Sequence, residues 1–173
     1  MAFTFLKAKG KDVGKSLVDS SMISEAKKIL ANARGKTNII FPQDFICAKS
    51  MKHKKTSVSN SNEMASDLMG LDIGPKTIEE FSKTIFDSGT ILWNGPMGVF
   101  EIEGFHHGTQ KIAKTIGEVT KNGSTSIVGG GDSAAAIKKF EMTNNFSHIS
   151  TGGGASLSLL SGNIMPAIYA LEL

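Results

Sequence analysis

Short apolar runs alternate with longer amphipathic segments along most of the chain. The short runs predict strands at residues 38–41, 45–48, 90–93, 125–128 and 147–149. The amphipathic segments predict helices at residues 24–33, 76–86, 106–119, 133–140 and 155–160. Several of the short runs are continuously apolar, which is typical of buried parallel strands. The alternation therefore predicts an α/β fold in which a parallel sheet carries helices on both faces.

The first segment, MAFTFLKA, is apolar and compatible with a helix from its first residue. It has no polar capping residue and no strand ahead of it. We therefore expect the predicted sheet to be incomplete at its N-terminal strands.

Composition narrows the class of protein. The chain has 173 residues, a length that fits one domain with a sizeable core. It contains 19 glycines among 173 residues, more than the usual share of about 7% would give. They cluster in particular loops, which indicates tight turns and places where the backbone comes close to a ligand. The single cysteine, Cys47, excludes an internal disulfide and is flanked by apolar residues, so we expect a buried structural thiol and a reducing, cytoplasmic setting. The sequence shows no membrane-spanning run and no signal peptide.

The charge of the chain gives little reason to expect a nucleic-acid partner. The net charge is +3, and one basic cluster contains Lys49, Lys52, His53, Lys54 and Lys55. We interpret this cluster as a solvated loop. The chain has one arginine, Arg34, at the end of a predicted helix, so no arginine clamp for a phosphate is evident.

The stretch IVGGGDSAAAIKK, residues 127–139, has three glycines at the end of a predicted strand, directly before a helix. Glycine lets backbone N–H groups approach an anion, and the start of a helix attracts a phosphate. Asp132 would repel that phosphate unless Mg²⁺ lay between them, as Mg²⁺ usually binds one or two carboxylates plus substrate phosphates. The alternative is that Asp132 is only the N-cap of the helix.

A second stretch, STGGGAS at residues 150–156, has alanine where the first has Asp132. Its N–H groups suit a phosphoryl group without a metal. His148 could donate to an oxyanion, although a histidine on a buried strand is more often satisfied by its neighbours. His106 and His107 are adjacent, so they point apart on a helix and are expected at the surface.

Two further stretches are rich in glycine. In WNGPMGVFE, residues 93–101, the glycines and Pro96 predict a sharp loop that could offer an apolar wall for a base and a carboxylate for ribose hydroxyls. In GKDVGKS, only three residues separate Gly10 from Gly14, whereas a Walker phosphate-binding loop needs four and follows a strand. We therefore do not interpret GKDVGKS as a nucleotide-binding loop.

In order along the chain, MAFTFLKA, GLDIGPKT, ILWNGPMGVFE, IVGGGDSAAA and SHISTGGGASL resemble the C-terminal, nucleotide-binding half of phosphoglycerate kinases. The resemblance extends from Met1 to about Pro166. It implies that residues 1–173 are part of one Rossmann-like nucleotide-binding domain. It also implies a glycolytic phosphoryl transfer between 1,3-bisphosphoglycerate and ADP, which gives 3-phosphoglycerate and ATP, with Mg²⁺ bound to the nucleotide.

The resemblance assigns roles residue by residue. Gly70 and Leu71 would contact adenine, and Glu101 would hydrogen-bond the ribose. The other side of the nucleotide would be lined by Asn94, Pro96, Gly98, Val99 and Phe100. Its phosphates would be held by Gly130, Gly131, Asp132 and Ser133, with Mg²⁺ on Asp132. The transferred phosphoryl group would be stabilised by Gly152, Gly153 and Gly154.

The chain departs from the family pattern by what it lacks. The family's N-terminal domain, its catalytic arginine and a lysine-bearing glycine segment have no counterpart here, and Met1 matches an internal methionine of the family. We therefore expect a monomeric chain that supplies the nucleotide site and needs the remaining half for turnover. The alternative is a non-catalytic nucleotide-binding remnant or a pseudogene product.

Overall fold

The computed structural model describes residues 1–53, 55–150 and 152–171, and the chain forms two compact units. Unit 1 comprises Met1–Lys83 and Met97–Lys111, and unit 2 comprises Thr84–Pro96 and Ile112–Leu173. The prediction that residues 1–173 are part of one nucleotide-binding domain stays a prediction. No helix in the described part of the chain is long and apolar enough to cross a membrane.

Unit 1 is built around an antiparallel sheet. Its elements are α1 (Ala2–Ala8), α2 (Ile23–Ala33), β1 (Asp44–Ala48), β2 (Ser57–Asn60), β3 (Met69–Ile73), most of α3 (Pro75–Phe86) and the start of α4 (His107–Lys121). The strand order is β2-β1-β3, so the central strand is β1. Four of the five residues of β1 are buried, because this strand has a neighbour on each side.

One core cluster of unit 1 contains Cys47, which is fully buried. The thiol packs among Leu6, Val13, Phe45 and Met64. Burial raises the pKa of Cys47, so the thiolate is disfavoured. The predicted role as a buried structural thiol is confirmed.

Unit 2 contains a parallel sheet with the order β4-β5-β6. Its elements are β4 (Thr90–Asn94), β5 (Thr125–Gly129), α5 (Gly131–Lys139), β6 (His148–Ser150), α6 (Gly153–Leu160), α7 (Pro166–Leu171) and the ends of α3 and α4. Asn94 pairs with Gly129, and Gly129 pairs with Ser150. The register therefore brings the carboxyl ends of all three strands to one edge, where ligands bind in folds of this kind.

The α/β class and the parallel sheet are confirmed, and four of the predicted strands are present. The strand predicted at residues 38–41 is wrong, because this segment pairs with no neighbour. Its apolar residues pack instead, with the Phe41 ring 5.8 Å from the Phe5 ring of α1. The antiparallel sheet was not predicted, since β2 is polar and exposed and β3 contains a glycine and an acid.

Candidate functional site

The carboxyl edge of the unit 2 sheet is where both glycine triplets lie. The first triplet, residues 129–131, ends β5 and begins α5, and the second, residues 152–154, precedes and begins α6. Gly130 has φ of 96°, a left-handed conformation that favours glycine. The Gly130 N–H donates to the Ser150 carbonyl at 3.1 Å, which ties the first triplet to β6.

The two triplets pack backbone against backbone. A Cβ atom placed on Gly153 would lie 2.6 Å from Gly130 Cα and 2.9 Å from Gly130 N, closer than real side chains approach. A Cβ atom on Gly131 or Gly154 would meet nothing within 4 Å. One pair of glycines therefore permits the close approach, while the other pair borders open space in which an anion could reach backbone N–H groups.

Asp132 is the second residue of α5, and its side chain is exposed. The N-cap is Gly130, and no side chain makes a capping hydrogen bond, so the interpretation of Asp132 as an N-cap is wrong. The helix begins two residues earlier than predicted, at Gly131. A carboxylate in the first turn is favoured by the helix dipole, and among the described residues this one makes no capping hydrogen bond to its own helix. Its oxygens can therefore act as metal ligands.

Ser133 is fully buried and holds the neighbouring loop. Its Oγ accepts a hydrogen bond from the Gly95 N–H at 2.7 Å. The Trp93 indole N–H donates to the Gly95 carbonyl at 2.7 Å, and the indole packs near the Phe146 ring, with centroids 6.2 Å apart. The start of α5 and the turn after β4 are therefore fixed to each other through Gly95.

The structure also brings Asn94 to the triplets. The Asn94 carboxamide lies within 4 Å of the Cβ positions of Gly129, Gly130 and Gly153. Pro96 follows in the same loop and is half-buried. Among the sequence-predicted residues of unit 2, those from β4, β5 and the second triplet thus converge on one strand edge.

The predicted residues of unit 1 form a second group around β3. Gly70 and Leu71 lie on this strand, and the Val99 N–H donates to the Leu71 carbonyl at 2.8 Å. Leu71 and Phe100 are only 4% and 5% exposed, so their side chains belong to the core of the unit. Gly98 and Val99 are half-buried, and Glu101 is exposed.

Asp72 organises this second group, and the sequence analysis missed it. Its side chain is 2% exposed. Its Oδ2 accepts from the Gly108 N–H at 2.7 Å, and its Oδ1 accepts from the Ile73 N–H at 2.9 Å. Any Cβ on Gly98 or Gly108 would collide with this carboxylate. Burial raises the pKa of Asp72 to about 6, against the lowering effect of the two N–H donors. The available signal was an acid inside an otherwise apolar strand.

The remaining candidates have structural explanations or lie apart. Ser16 of GKDVGKS follows a helix and is buried, where its hydroxyl accepts from the Gly70 N–H at 2.9 Å. His148 is exposed on β6, whereas the sequence analysis expected a histidine on a buried strand that its neighbours satisfy. His107 is exposed, as predicted, and His106 is half-buried. No group of three or more His, Cys, Asp or Glu residues suited to a metal ion occurs in the described ranges.

The basic cluster is a set of exposed side chains where the structure describes it. Lys49 pairs with Asp67, with a nitrogen–oxygen distance of 3.0 Å, and both side chains are more than half exposed. Lys52 and Lys55 are exposed as well, and Lys54 lies outside the described residues. The interpretation as a solvated loop agrees with this exposure.

The fold is an α/β fold, and glycine-rich turns that open helices at the ends of parallel strands are where proteins of this class commonly bind phosphates. The family model "Phosphoglycerate kinase" matches residues 1–163. The chain therefore belongs to the phosphoglycerate kinase family.

Individual relatives agree with this assignment. The phosphoglycerate kinase of Thermosipho africanus is 48% identical over 174 aligned residues, which cover 99% of this chain and 43% of the relative. The solved phosphoglycerate kinase of Coxiella burnetii superposes with a TM-score of 0.93 at 41% identity, over 99% of this chain and 44% of that one. The enzyme of Pyrococcus horikoshii OT3 gives a TM-score of 0.80 at 32% identity. The chain thus spans less than half the length of the relatives it matches.

Proposed function

We propose that this chain provides the magnesium–nucleotide site for phosphoryl transfer between 1,3-bisphosphoglycerate and ADP. The observation that carries the proposal is the meeting of two glycine triplets at the end of a parallel sheet, with an exposed carboxylate in the first turn of α5. Family membership supports the choice of nucleotide and of the glycerate substrates.

In unit 2, the backbone of Gly130 and Gly131 and the start of α5 would bind the nucleotide phosphates. Asp132 would hold Mg²⁺, and the bound ion would supply neutralisation of the phosphate charge. The residues present fit this role, because the Asp132 side chain is exposed and the space around Gly131 is open. Ser133 would act through its backbone and through the Gly95 hydrogen bond, since its hydroxyl is already engaged.

The second triplet would stabilise the phosphoryl group in flight. Gly154 borders open space, and no acid occurs in the first turn of α6. N–H donors directed at a developing negative charge stabilise the transition state. Removing one such donor raises the activation free energy by about 3 to 4 kcal/mol. An acid in this turn would oppose that effect.

In unit 1, we assign the nucleoside contacts to Gly70, Leu71 and the loop that contains Gly98 and Val99. The hydrogen bond between Val99 and Leu71 supports this, because it holds the loop against β3. Glu101 is exposed and would accept from ribose hydroxyls. Phe100 would support the loop from the core, since it is 5% exposed.

A melting experiment tests the nucleotide site. We expect Mg-ADP to raise the melting temperature of the chain, because a ligand at 100 times its Kd stabilises by about 2.7 kcal/mol. Asp132→Asn should remove the magnesium-dependent part of the shift. The matched control is Asp87→Asn, an exposed acid of the same unit. A shift that survives Asp132→Asn unchanged would contradict the assigned role of Asp132.

A rate measurement tests catalysis separately. We propose that the chain alone gives no measurable ATP-dependent phosphorylation of 3-phosphoglycerate. We also propose that the chain acts in the cytoplasm, does not self-associate, and has the other half of the enzyme as its partner. The support is that the chain covers about 43% of its relatives. Turnover at rates usual for kinases, about 1–100 s⁻¹, would contradict the need for a partner. Binding of Mg-ADP without turnover, even when the N-terminal half of a phosphoglycerate kinase is added, would favour a non-catalytic nucleotide-binding protein.

A further inference from the structure

A cavity of about 460 Å³ lies within unit 1, and none of the residues assigned to the nucleotide lines it. It is bordered by the end of α1, the start of β1, the end of β2 and the start of α3. Ligand sites in proteins commonly measure about 300–1,000 Å³, so the cavity has the size of a small-molecule site. None of the glycine-triplet residues lines it.

Three lysines line the cavity: Lys9, Lys11 and Lys76. Within the described ranges, none of their ammonium groups has a carboxylate partner. The Lys9 ammonium lies 4.6 Å from the centre of the Phe41 ring, a cation–π contact that orients it without neutralising it. Within the described ranges, no ion pair therefore neutralises these three ammonium groups.

The acid in the cavity wall is Asp44, and its carboxylate already accepts hydrogen bonds from backbone N–H groups. Its side chain is 3% exposed, and its oxygens accept from the Lys76 N–H at 3.1 Å and from the Thr77 N–H at 2.9 Å. These bonds direct the carboxylate to the start of α3. Three lysines against one carboxylate leave the lining with a formal charge of +2.

The polar walls are held in place before any ligand binds. Asp44 pairs with Asn60 in the β1–β2 ladder, and the Ser61 N–H donates to the Gln43 carbonyl at 2.8 Å. The Asn60 side-chain oxygen accepts from the Asn62 N–H at 3.1 Å, which leaves the Asn60 NH₂ group as a donor. Fixed donors reduce the ordering cost of binding an anion.

We propose that this cavity binds a small phosphate-bearing anion at a site separate from the nucleotide loops. The ligand class follows from the lining, which offers ammonium and carboxamide donors to oxyanions. The Phe41 ring faces Lys9 and lies beside Phe5, so it is not open for stacking on a base. A phosphate ester or an inorganic phosphate therefore fits better than a nucleotide.

Pyrophosphate titration of the full chain tests the proposal. At constant ionic strength, ¹⁵N-labelled protein should show saturable amide shifts at Lys11, Asn60 and Lys76, and these shifts should persist when excess Mg-ADP occupies the glycine triplets. The double substitution Lys9→Ala/Lys76→Ala should weaken binding at least tenfold. The matched control, Lys28→Ala/Lys114→Ala, removes the same charge from exposed helical positions and should change the Kd less than twofold.

Inorganic phosphate and glycerol phosphate serve as second and third probes, and they separate a site for free phosphate from one for phosphate esters. A cooperative melt of each variant shows that the exposed lysines were removed from a folded chain. Equal weakening by both double substitutions, shifts confined to the glycine triplets, or a chain that neither melts cooperatively nor binds pyrophosphate would each overturn the proposal.

Discussion

In unit 1, Gly98 and Gly108 leave room for the Asp72 carboxylate, whereas in unit 2 Gly130 and Gly153 leave room for each other's backbone. The first arrangement depends on a buried side chain that can be protonated, and the second depends on main-chain atoms alone. Close packing around candidate binding residues can therefore be sensitive to pH in one region and insensitive in the other.

The largest effect should come from filling the space beside the carboxylate. Gly108→Ala would place a methyl group against Asp72 and Ile73 and displace the Gly108 hydrogen bond. Overpacking and the loss of a bond to a charged group should together lower the free energy of unfolding by about 3 to 5 kcal/mol. Urea unfolding measures this. Gly89→Ala is the control, because its Cβ would meet nothing within 4 Å.

The next effect is a pH dependence that belongs to unit 1. Asp72 has a folded-state pKa of about 6, above the unfolded value of 3.8, so the folded state binds the proton more tightly. The stability from this group is therefore present below pH 3.8 and is lost as the pH rises through 6. Relative to the natural chain, Asp72→Asn should gain on the order of 3 kcal/mol between pH 4 and pH 7. Urea unfolding across that range measures the difference, and a constant difference would contradict this explanation.

The backbone contact of unit 2 should give a smaller loss. Gly153→Ala would force Gly130 away, at about 1–3 kcal/mol. Gly154→Ala, one residue along the same helix, meets nothing within 4 Å and should stabilise by up to about 1 kcal/mol. Thermal unfolding at two pH values checks both. Equal changes in stability from the two substitutions would show that Gly153 does not pack against the Gly130 backbone in solution.

The smallest effect concerns the serines that follow each triplet. Ser133→Ala leaves the Gly95 N–H without its acceptor and should cost about 1–2 kcal/mol. Ser156, its counterpart by sequence, makes a 3.4 Å bond within its own helix, so Ser156→Ala should change stability by less than about 0.5 kcal/mol. Chemical denaturation separates them. A larger loss of stability in Ser156→Ala than in Ser133→Ala would contradict this explanation.

The elements that sequence predicted well carry strong local signals. The helices α2 to α6 and the strands β1, β4, β5 and β6 are apolar or amphipathic over most of their length, and periodicity finds such segments. The segment at residues 38–41 misled the prediction, because its apolar side chains pack against α1 without strand pairing. β2 was missed because it is a short exposed edge strand with mostly polar residues.

The candidate site was predictable where the chemistry is local. Both triplets and Asp132 could be found from sequence, because glycine and acid lie next to each other before a helix. The role of Asp72 could not, since it depends on Gly98 and Gly108, which lie 26 and 36 residues away. The lysine-lined cavity likewise joins residues from four separate elements.

Trp93 gives unit 2 its own optical probe. It is the single tryptophan of the chain, it is 5% exposed, and its indole bonds to the same Gly95 that Ser133 holds. Intrinsic fluorescence excited in the indole band therefore comes from one place, beside the first glycine triplet. A shift in the wavelength of the emission maximum would report on that turn directly, without a label and without a signal from unit 1.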